Sequence, residues 1–222
     1  MKKTGYIEIT GVIHCLSGLR VGGSDDLLQI GGTDLTCIKH PVTLKPYLPG
    51  SSIKGKMRSE IEKKLGKVGG QNQNEPCGCA SRDCFVCRVF GPHKNTRHEL
   101  GPTRIIIRDA QVVEGGETEL KSENVIDRKT GAAQNPRKIE RVVAGSKFAL
   151  KVVLQVWDLD DQCEYEKQKG GDALFAFLKD GLREVQMTGL GSGVSKGSGE
   201  VEFLDLKRDG QPFHLNSTPS DG

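Results

Sequence analysis

The sequence lacks an apolar run long enough to cross a membrane. Its densest apolar segments, 104–113 and 148–157, are interrupted by charged or polar residues, whereas a helical span takes about 20 consecutive apolar residues. Near the amino terminus, Glu8 and Thr10 stand where a secretory signal has an unbroken apolar stretch. We therefore expect a protein that is not inserted in a membrane and that resides in the reducing cytoplasm.

The chain also has little net charge and no sign of low complexity. Its 222 residues carry 32 Lys and Arg against 29 Asp and Glu, a formal charge of +3. This balance excludes a histone-like protein that holds nucleic acid by bulk charge. Glycine is in excess, with 29 residues, which is about twice ordinary usage. The length fits one domain, 1–222, with room for a hydrophobic core.

The small net charge conceals an asymmetry along the chain. Residues 39–67 hold eight Lys or Arg against two acids, residues 77–108 hold six against two, and residues 154–186 hold four against eight. A charged run is usually a solvated helix face. Here, however, the basic excess coincides with glycines and serines, whose N–H groups and hydroxyls suit phosphate. We expect a basic amino-terminal half and an acidic patch around the second helix.

Two common nucleotide-binding motifs are absent. Residues 50–56 have the spacing of a P-loop, but Met57 stands where a Ser or Thr would hold magnesium, and the glycine cluster 189–199 contains no G-x-G-x-x-G. A nucleoside triphosphatase and a dinucleotide-binding enzyme are therefore disfavoured. A helix start that grips a backbone phosphate remains open for residues 50–58. For the glycine cluster, a flexible turn and close approach to a charged polymer are about equally favoured.

The order of periodic segments predicts the fold. Strands are predicted at 6–15, 104–113, 148–156 and 201–203. One helix lies between the first two strands, is capped by Ser51 and Ser52 and has its apolar stripe at 53, 57, 61 and 65; the other, at 173–185, lies between the last two. This order favours an α+β fold with a ferredoxin-like, or RRM-like, βαββαβ core. Residues 67–103 form an insertion with the cysteines, residues 114–146 a polar hairpin arm, and residues 208–222 a flexible tail.

Four of the seven cysteines fall within eleven residues, at Cys77, Cys79, Cys84 and Cys87. The pair Cys84-x2-Cys87 has the spacing with which two thiolates share a tetrahedral Zn2+ ion. With four protein ligands the ion has no open position, so the site would be structural. The alternatives are a disulfide pair, which a reducing compartment disfavours, free thiols, or His93 or His98 in place of one cysteine.

Asp34 is an acid on a glycine-rich turn, in the run Gly31-Gly32-Thr33-Asp34 beside the basic helix. By default such a residue shapes its own turn through its carboxylate. Placed where phosphates are gripped, it can instead accept a proton from a ribose 2′-hydroxyl or hold a magnesium ion at the scissile phosphate. Both hypotheses stay open on composition alone.

Six motifs, taken together and in order, resemble the repeating backbone subunit of type III-A CRISPR (Csm) effector complexes, which belongs to the RAMP superfamily. They are LSGLRVGG at 16–23, IGGTD at 30–34, PYLPGSSIKGKMRSEIE at 46–62, CxCx4CxxCRVFG ending at Gly91, ENVIDRKTGAAQNPRKIERVVAG at 123–145 and GLGSGVSKGSGEV from 189. The similarity extends over about residues 5–207, and the joint order is far more specific than any one motif.

The resemblance implies a subunit that stacks with further copies of itself in a helical filament along a CRISPR RNA. Other Csm subunits, including the large Cas polymerase/nuclease subunit, are implied partners. The filament would cut complementary single-stranded target RNA at regular intervals in antiviral defence, as a metal-dependent endoribonuclease using Mg2+ or another divalent ion. A non-catalytic guide-RNA-binding filament subunit and a stand-alone zinc-dependent RNA-binding domain are the alternatives.

The resemblance also assigns roles to residues. It implies that Asp34 is the catalytic acid and that the 121–141 arm is a thumb that pushes between bases of the guide–target duplex. Arg20 stands where the family often has His, which favours phosphate contact over chemistry at that position. The implied RNA contacts are Arg20, Ser51, Ser52, Lys54, Lys56, Arg58, Arg128, Arg137, Gly191, Gly193 and Lys196.

Overall fold

The computed structural model describes residues 1–22, 35–69 and 75–215. Its main sheet is antiparallel, with seven strands in the order β11-β10-β1-β7-β4-β2 and β3 paired beside β4 on β7. The strands are β1 (Lys3–Cys15), β2 (Tyr47–Leu48), β3 (Ile105–Ile107), β4 (Ala110–Glu114), β7 (Lys147–Trp157), β10 (Val201–Arg208) and β11 (Gln211–Pro212). Two hairpins stand apart from it, β5 (Thr118–Ile126) with β6 (Ala133–Val142), and β8 (Glu164–Tyr165) with β9 (Gln168–Lys169).

The alternation that predicts β1 and β7 buries one face of the sheet. Ile9 and Ile13 of β1 are fully buried, as are Phe148 and Val152 of β7, and the register pairs Ile13 with Phe148 and Ile9 with Val152. Since the period of a strand is two, these residues all point to one side. The central strand order β10-β1-β7-β4, with one helix after β1 and one after β7, confirms the predicted ferredoxin-like core.

Two helices, α1 (Gly50–Lys64) and α3 (Gly170–Thr188), cover that buried face. They cross where α3 has Gly181, since a Cβ atom there would lie 2.5 Å from Cγ of Met57, so the glycine permits the close approach. The predicted stripe of α1 holds at 53, 57 and 61, but Leu65 is exposed at the helix end. Across the described residues, none of the helices has the length and apolar character that a bilayer crossing requires.

The start of α1 differs from the prediction. The helix begins at Gly50, before the two serines, and no side chain of the preceding residue, Pro49, caps it. The carboxylate of Asp109, which lies between β3 and β4, accepts a hydrogen bond of 2.8 Å from the Gly50 N–H. Ser51 and Ser52 therefore lie inside the first turn. The cap comes from a residue 59 positions away, which no local pattern could indicate, and the same residue splits the predicted strand 104–113 into β3 and β4.

A short helix in the cysteine insertion, α2 (Phe85–Phe90), was not predicted; all six of its residues are buried. A charged cluster ties it to the end of β7. The carboxylate of Asp160, fully buried, accepts hydrogen bonds from Arg88 at 2.9 Å and from Arg104 at 2.8 Å. Removing one partner of such a buried group typically costs about 3–5 kcal/mol, so this cluster fixes the insertion on the core.

The predicted flexible tail is attached as far as the structure describes it. β11 pairs with β10, the Phe213 ring packs on Phe175 with ring centroids 5.0 Å apart, and Leu215 is buried. The Leu215 carbonyl also accepts a hydrogen bond of 2.6 Å from Arg183 of α3. Residues 208–215 are therefore attached to the sheet and to α3, which corrects the predicted tail boundary at 208. The remainder of that segment, 216–222, lies outside the described residues.

Candidate functional site

The four clustered cysteines converge at the start of α2 and in the loop before it. Cys77, Cys84 and Cys87 are buried and Cys79 is exposed. The Sγ atom of Cys77 lies 3.6 Å from that of Cys79, 3.8 Å from that of Cys84 and 3.6 Å from that of Cys87. Four sulfurs at about 2.3 Å from a central zinc stand about 3.8 Å apart. The cysteines therefore fit a tetrahedral ion, with neither His93 nor His98 in the converging group.

One of these thiols is strongly acidified by the others. Hydrogen bonds from the neighbouring sulfurs, first that of Cys87, lower the pKa of Cys84 to about 5. Burial instead raises the pKa of Cys77, and the adjacent Cys84 raises that of Cys87. A divalent ion binds thiolates and displaces their protons, so metal binding at the cluster would release protons.

A second group of predicted residues meets at the end of the sheet where β1 ends and β10 begins. The Ser192 N–H donates to the carbonyl of Arg20 at 2.9 Å, and the Arg20 guanidinium donates back to the Ser192 hydroxyl at 3.1 Å. A Cβ atom at Gly191 would lie 2.3 Å from the Arg20 carbonyl oxygen. The glycine loop 189–199 therefore packs directly on the backbone beside Arg20, although the two segments are 172 residues apart.

The base of the β5–β6 hairpin joins this group. Lys121 donates to the carbonyl of Lys196 at 3.0 Å, and the Lys196 ammonium lies 3.4 Å from the Glu123 carboxylate. Arg141 donates to the hydroxyl of Ser198 at 3.2 Å. The structure thus brings together Arg20, the glycine loop and the predicted thumb. Sequence analysis missed the two bridging serines; their only signal was their place between glycines.

The outer part of the hairpin is exposed. Arg137 lies on β6 opposite Glu123, and Arg128 lies in the turn; neither forms an ion pair with a described residue. The Asp127 carboxylate accepts hydrogen bonds of 2.8 Å from the backbone N–H groups of Thr130 and Lys129, and these bonds lower its pKa. The turn is therefore internally fixed, while Arg128 in the turn and Arg137 on β6 are exposed to solvent.

Asp34 lies outside the described residues, but both flanks of its segment are described. Gly22 forms an antiparallel bridge with Cys37, and Leu35 a parallel bridge with Ile139 of β6. The buried carboxylate of Glu140 anchors the following chain, because it accepts from the Cys37 N–H at 3.0 Å, besides the Lys39 ammonium and the Thr118 hydroxyl. The segment that carries Asp34 thus starts and ends beside the base of the hairpin.

The predicted contacts on α1 form a separate group. No hydrogen bond or ion pair among the described residues joins α1 to the glycine loop. Lys56 pairs with Glu60 and Arg58 with Glu62, each at 2.8 Å, so the predicted basic face is largely neutralised within the helix. Among the described residues, Lys54 is the one α1 cation without an ion-pair partner, and burial followed by the charge of Arg58 lowers its pKa.

Comparison with known proteins gives consistent matches over most of the chain. The RAMP superfamily model matches residues 12–202. The protein named CRISPR system Cms endoribonuclease Csm3 from Methanothermobacter thermautotrophicus is 40% identical over 224 residues, covering 90% of this chain and 84% of that protein. Its namesake from Streptococcus thermophilus is 36% identical over 210 residues, covering 90% of this chain and 88% of that protein.

Solved structures agree with these matches. A chain of the Csm3-Csm4 subcomplex in the type III-A CRISPR-Cas interference complex superposes with a TM-score of 0.59 and 25% identity, covering 94% of this chain and 80% of that chain. A chain of the type III-B Cmr-beta complex bound to cognate target RNA gives the same TM-score at 18% identity, covering 91% and 60% respectively. The second match concerns the fold alone.

Proposed function

The chain belongs to the RAMP superfamily, with Csm3 proteins among its relatives, and on that premise we propose that it is the CRISPR-RNA-binding backbone subunit of a type III effector complex. In this role it cleaves single-stranded RNA complementary to the guide. The observation that carries the proposal is the meeting of Arg20, the glycine loop and the base of the hairpin at one end of the sheet. Its partners are the guide, the target, further copies of itself and other Csm subunits in the cytoplasm.

The guide surface consists of backbone and cations together. Glycines without side chains let a polymer backbone approach closely, and Arg20 and Lys196 place positive charge beside them. Phosphate contacts of this kind position a nucleic acid without reading its bases, which suits a subunit that must accept any guide sequence. Lys54 adds a second contact, because its ammonium is half-buried with a lowered pKa and no ion-pair partner on α1, and a guide phosphate would supply the missing anion.

The hairpin acts as the thumb. Its outer half exposes Val125 and Ile126 together with Arg128 and Arg137, so an apolar wedge is flanked by cations that hold phosphates. Unstacking one base step costs a few kcal/mol, and the backbone freed by it can turn. A target 2′-oxygen can then align with the adjacent phosphorus.

Asp34 assists this attack, either by accepting the 2′-hydroxyl proton or by holding a divalent ion. The 2′-oxygen bonds to phosphorus as the bond to the 5′-oxygen breaks, which leaves a 5′-hydroxyl product and spares DNA. Mg2+, when bound, would supply positive charge at the scissile phosphate. Among the described residues, only the four cysteines converge as a metal-binding group.

Two experiments test the chemistry in the assembled complex. Asp34→Ala should abolish cutting while target binding stays intact, with Asp161→Ala, an exposed acid at the other end of the sheet, as the control. Undiminished cutting by Asp34→Ala would establish the alternative, a non-catalytic filament subunit. A target with a single 2′-deoxy residue at the cut should resist cleavage at that site alone, and cutting there at the normal rate would mean that water is the nucleophile.

We also propose that Cys77, Cys79, Cys84 and Cys87 hold one structural Zn2+ ion. The spacing of their sulfurs supports a tetrahedral site. The ion would cross-link the loop before α2 to α2 itself, and structural zinc contributes directly to folding free energy. We expect about one zinc per chain and a lower thermal midpoint after chelation. Cys84→Ser should remove the zinc, whereas Cys163→Ser, outside the cluster, should retain it.

A further inference from the structure

The backbone of Cys77 is held by two side chains of α1. Its N–H donates to Oε1 of Glu62 at 3.0 Å, and its carbonyl accepts from Nη2 of Arg58 at 2.8 Å. The two side chains also bind each other, because Nε of Arg58 donates to the same Glu62 oxygen at 2.8 Å. This ion pair, whose members are four residues apart on α1, therefore binds both the N–H and the carbonyl of Cys77 in the cysteine loop; we call it the clamp.

The clamp is withdrawn from solvent. The side chain of Arg58 is 17% exposed and that of Glu62 is 6% exposed. Burying a charge pair costs desolvation energy that the attraction between the charges often does not recover, so such a pair is a poor device for stability alone. The pair forms further hydrogen bonds to the backbone of Cys77, which indicates that it holds this residue in position.

Cys77 is in contact with the other three cysteines through its sulfur and with the surrounding chain through its backbone. Its sulfur lies within 3.8 Å of each of the other three, and its carbonyl also accepts from the His93 N–H at 3.1 Å. Residues that orient metal ligands without touching the ion typically change metal affinity about 10–100-fold when they are removed. A loop that is already ordered loses less entropy when the ion binds.

We infer that Arg58 and Glu62 are positioning residues of the metal site, which hold Cys77 in place for the ion, and that Arg58 is therefore not a guide-RNA contact. The inference rests on the proposed zinc site. It replaces the role predicted for Arg58 from the sequence, where its position in the basic segment indicated phosphate binding. The Arg58 guanidinium already donates hydrogen bonds to the Glu62 carboxylate and the Cys77 carbonyl.

The same helix supplies a matched control. Lys56 and Glu60 form an ion pair with the same four-residue spacing, the same 2.8 Å separation and similar exposure, at 20% and 10%. Glu60 also pairs with Lys63, and among the described residues neither Lys56 nor Glu60 forms a hydrogen bond or ion pair with the cysteine loop. Removing Lys56 breaks an ion pair on α1, as removing Arg58 does. It leaves the hydrogen bonds from Arg58 and Glu62 to Cys77 in place.

The experiment measures metal affinity in the full chain. Four proteins are compared: wild type, Arg58→Met, Glu62→Gln and Lys56→Met. Each is stripped of metal, checked for folding by circular dichroism, and titrated with Zn2+ against a competing chelator. Co2+ replaces Zn2+ in a parallel titration, because its absorption reports tetrahedral thiolate coordination. We expect Arg58→Met to bind about 10–100-fold more weakly than wild type, Glu62→Gln to be weakened in the same direction, and Lys56→Met to bind as wild type does.

The outcomes separate this inference from the proposal beneath it. If wild type binds neither ion, the zinc site itself fails. If wild type binds zinc and Arg58→Met binds it equally well, the positioning role is overturned. If Arg58→Met does not fold, Arg58→Lys decides, because a lysine keeps the charge but cannot reach both Glu62 and Cys77; normal affinity in that variant overturns the role. Guide affinity measured at saturating zinc should not change in Arg58→Met, and a loss there would restore Arg58 as a phosphate contact.

Discussion

Gly191 shows what a single residue contributes to the RNA end of the sheet. Its φ of +79° lies in the left-handed region, and a Cβ atom would lie 2.3 Å from the Arg20 carbonyl oxygen. We expect Gly191→Ala to cost about 1–2 kcal/mol from the backbone conformation and a further 1–3 kcal/mol from displaced neighbours. Urea unfolding measures the total loss of stability, and weaker binding to guide RNA would report the shifted loop.

Gly197 separates these two contributions. It lies in the same loop with a φ of +76°, but its Cβ position has no atom within 4 Å. Gly197→Ala should therefore lose only the backbone part, about 1–2 kcal/mol. Equal losses in the two variants would show that the contact with Arg20 contributes nothing to stability.

At the scale of elements, the contact between α1 and α3 includes a buried carboxylate. Asp180 accepts hydrogen bonds from Tyr165 at 2.7 Å, Lys64 at 3.1 Å and Arg183 at 2.8 Å. Burial by itself raises the pKa of Asp180, but these three bonds outweigh it and leave the pKa below the ordinary value of 3.8. The carboxylate is thus more acidic in the folded than in the unfolded chain.

The sign of the pH dependence follows from this shift. A carboxyl with a lowered folded pKa contributes stability that is present above about pH 4 and is lost as the pH falls through the folded pKa. We expect the urea midpoint to decline below pH 4. In Asp180→Asn the midpoint should be lower at pH 7 and should decline less steeply in acid. An unchanged acid slope in this variant would assign the decline to other carboxyls, such as Glu60 and Glu140, whose pKa values are also lowered.

At the scale of the whole molecule, exposed charged groups lie at both ends of β7. The strand begins at Lys147 beside the hairpin base and ends at Trp157, and eleven residues of strand extend about 35 Å. At its far end lie the exposed acids Asp161, Glu164 and Glu166, together with the exposed cations Lys2, Lys3, Lys167 and Lys169. The hairpin beside the other end carries Arg128 in its turn, directly after Asp127 in the sequence. Charge of both signs at the two ends allows ion pairs between neighbouring copies stacked along an RNA.

Assembly on RNA tests this arrangement. We expect the mass of the complex with guide RNA, measured by light scattering after size exclusion, to rise in steps as the RNA is lengthened. The steps should weaken with added salt, because exposed charges are screened within about 10 Å at 0.1 M ionic strength and phosphate contacts are lost with counterion competition. A single copy bound at every RNA length would instead favour a stand-alone RNA-binding domain.

Several features of this protein are fixed within short stretches of its sequence. The alternation in β1 and β7 and the stripe of α3 set which faces are buried, and their order sets the ferredoxin-like topology. The cysteine spacing likewise predicts convergence of four thiols, since Cys84 and Cys87 flank one turn of helix. These features depend on neighbours within about ten residues, where chain geometry alone relates one side chain to the next.

Other features were decided only by the tertiary structure. The sequence places Lys56, Arg58 and Lys64 on a basic segment, and the four-residue spacing within α1 accounts for the pairs of Lys56 with Glu60 and of Arg58 with Glu62. Only the fold pairs Lys64 with Asp180 and brings Arg58 to the cysteine loop. The cap of α1 comes from Asp109, and the partner of Arg20 is Ser192. Asp34, outside the described residues, remains a prediction. A charged or polar side chain takes whichever partner the packed core brings within about 3 Å, and that partner can lie anywhere in the chain, so local sequence determined the elements and the core alone determined their partners.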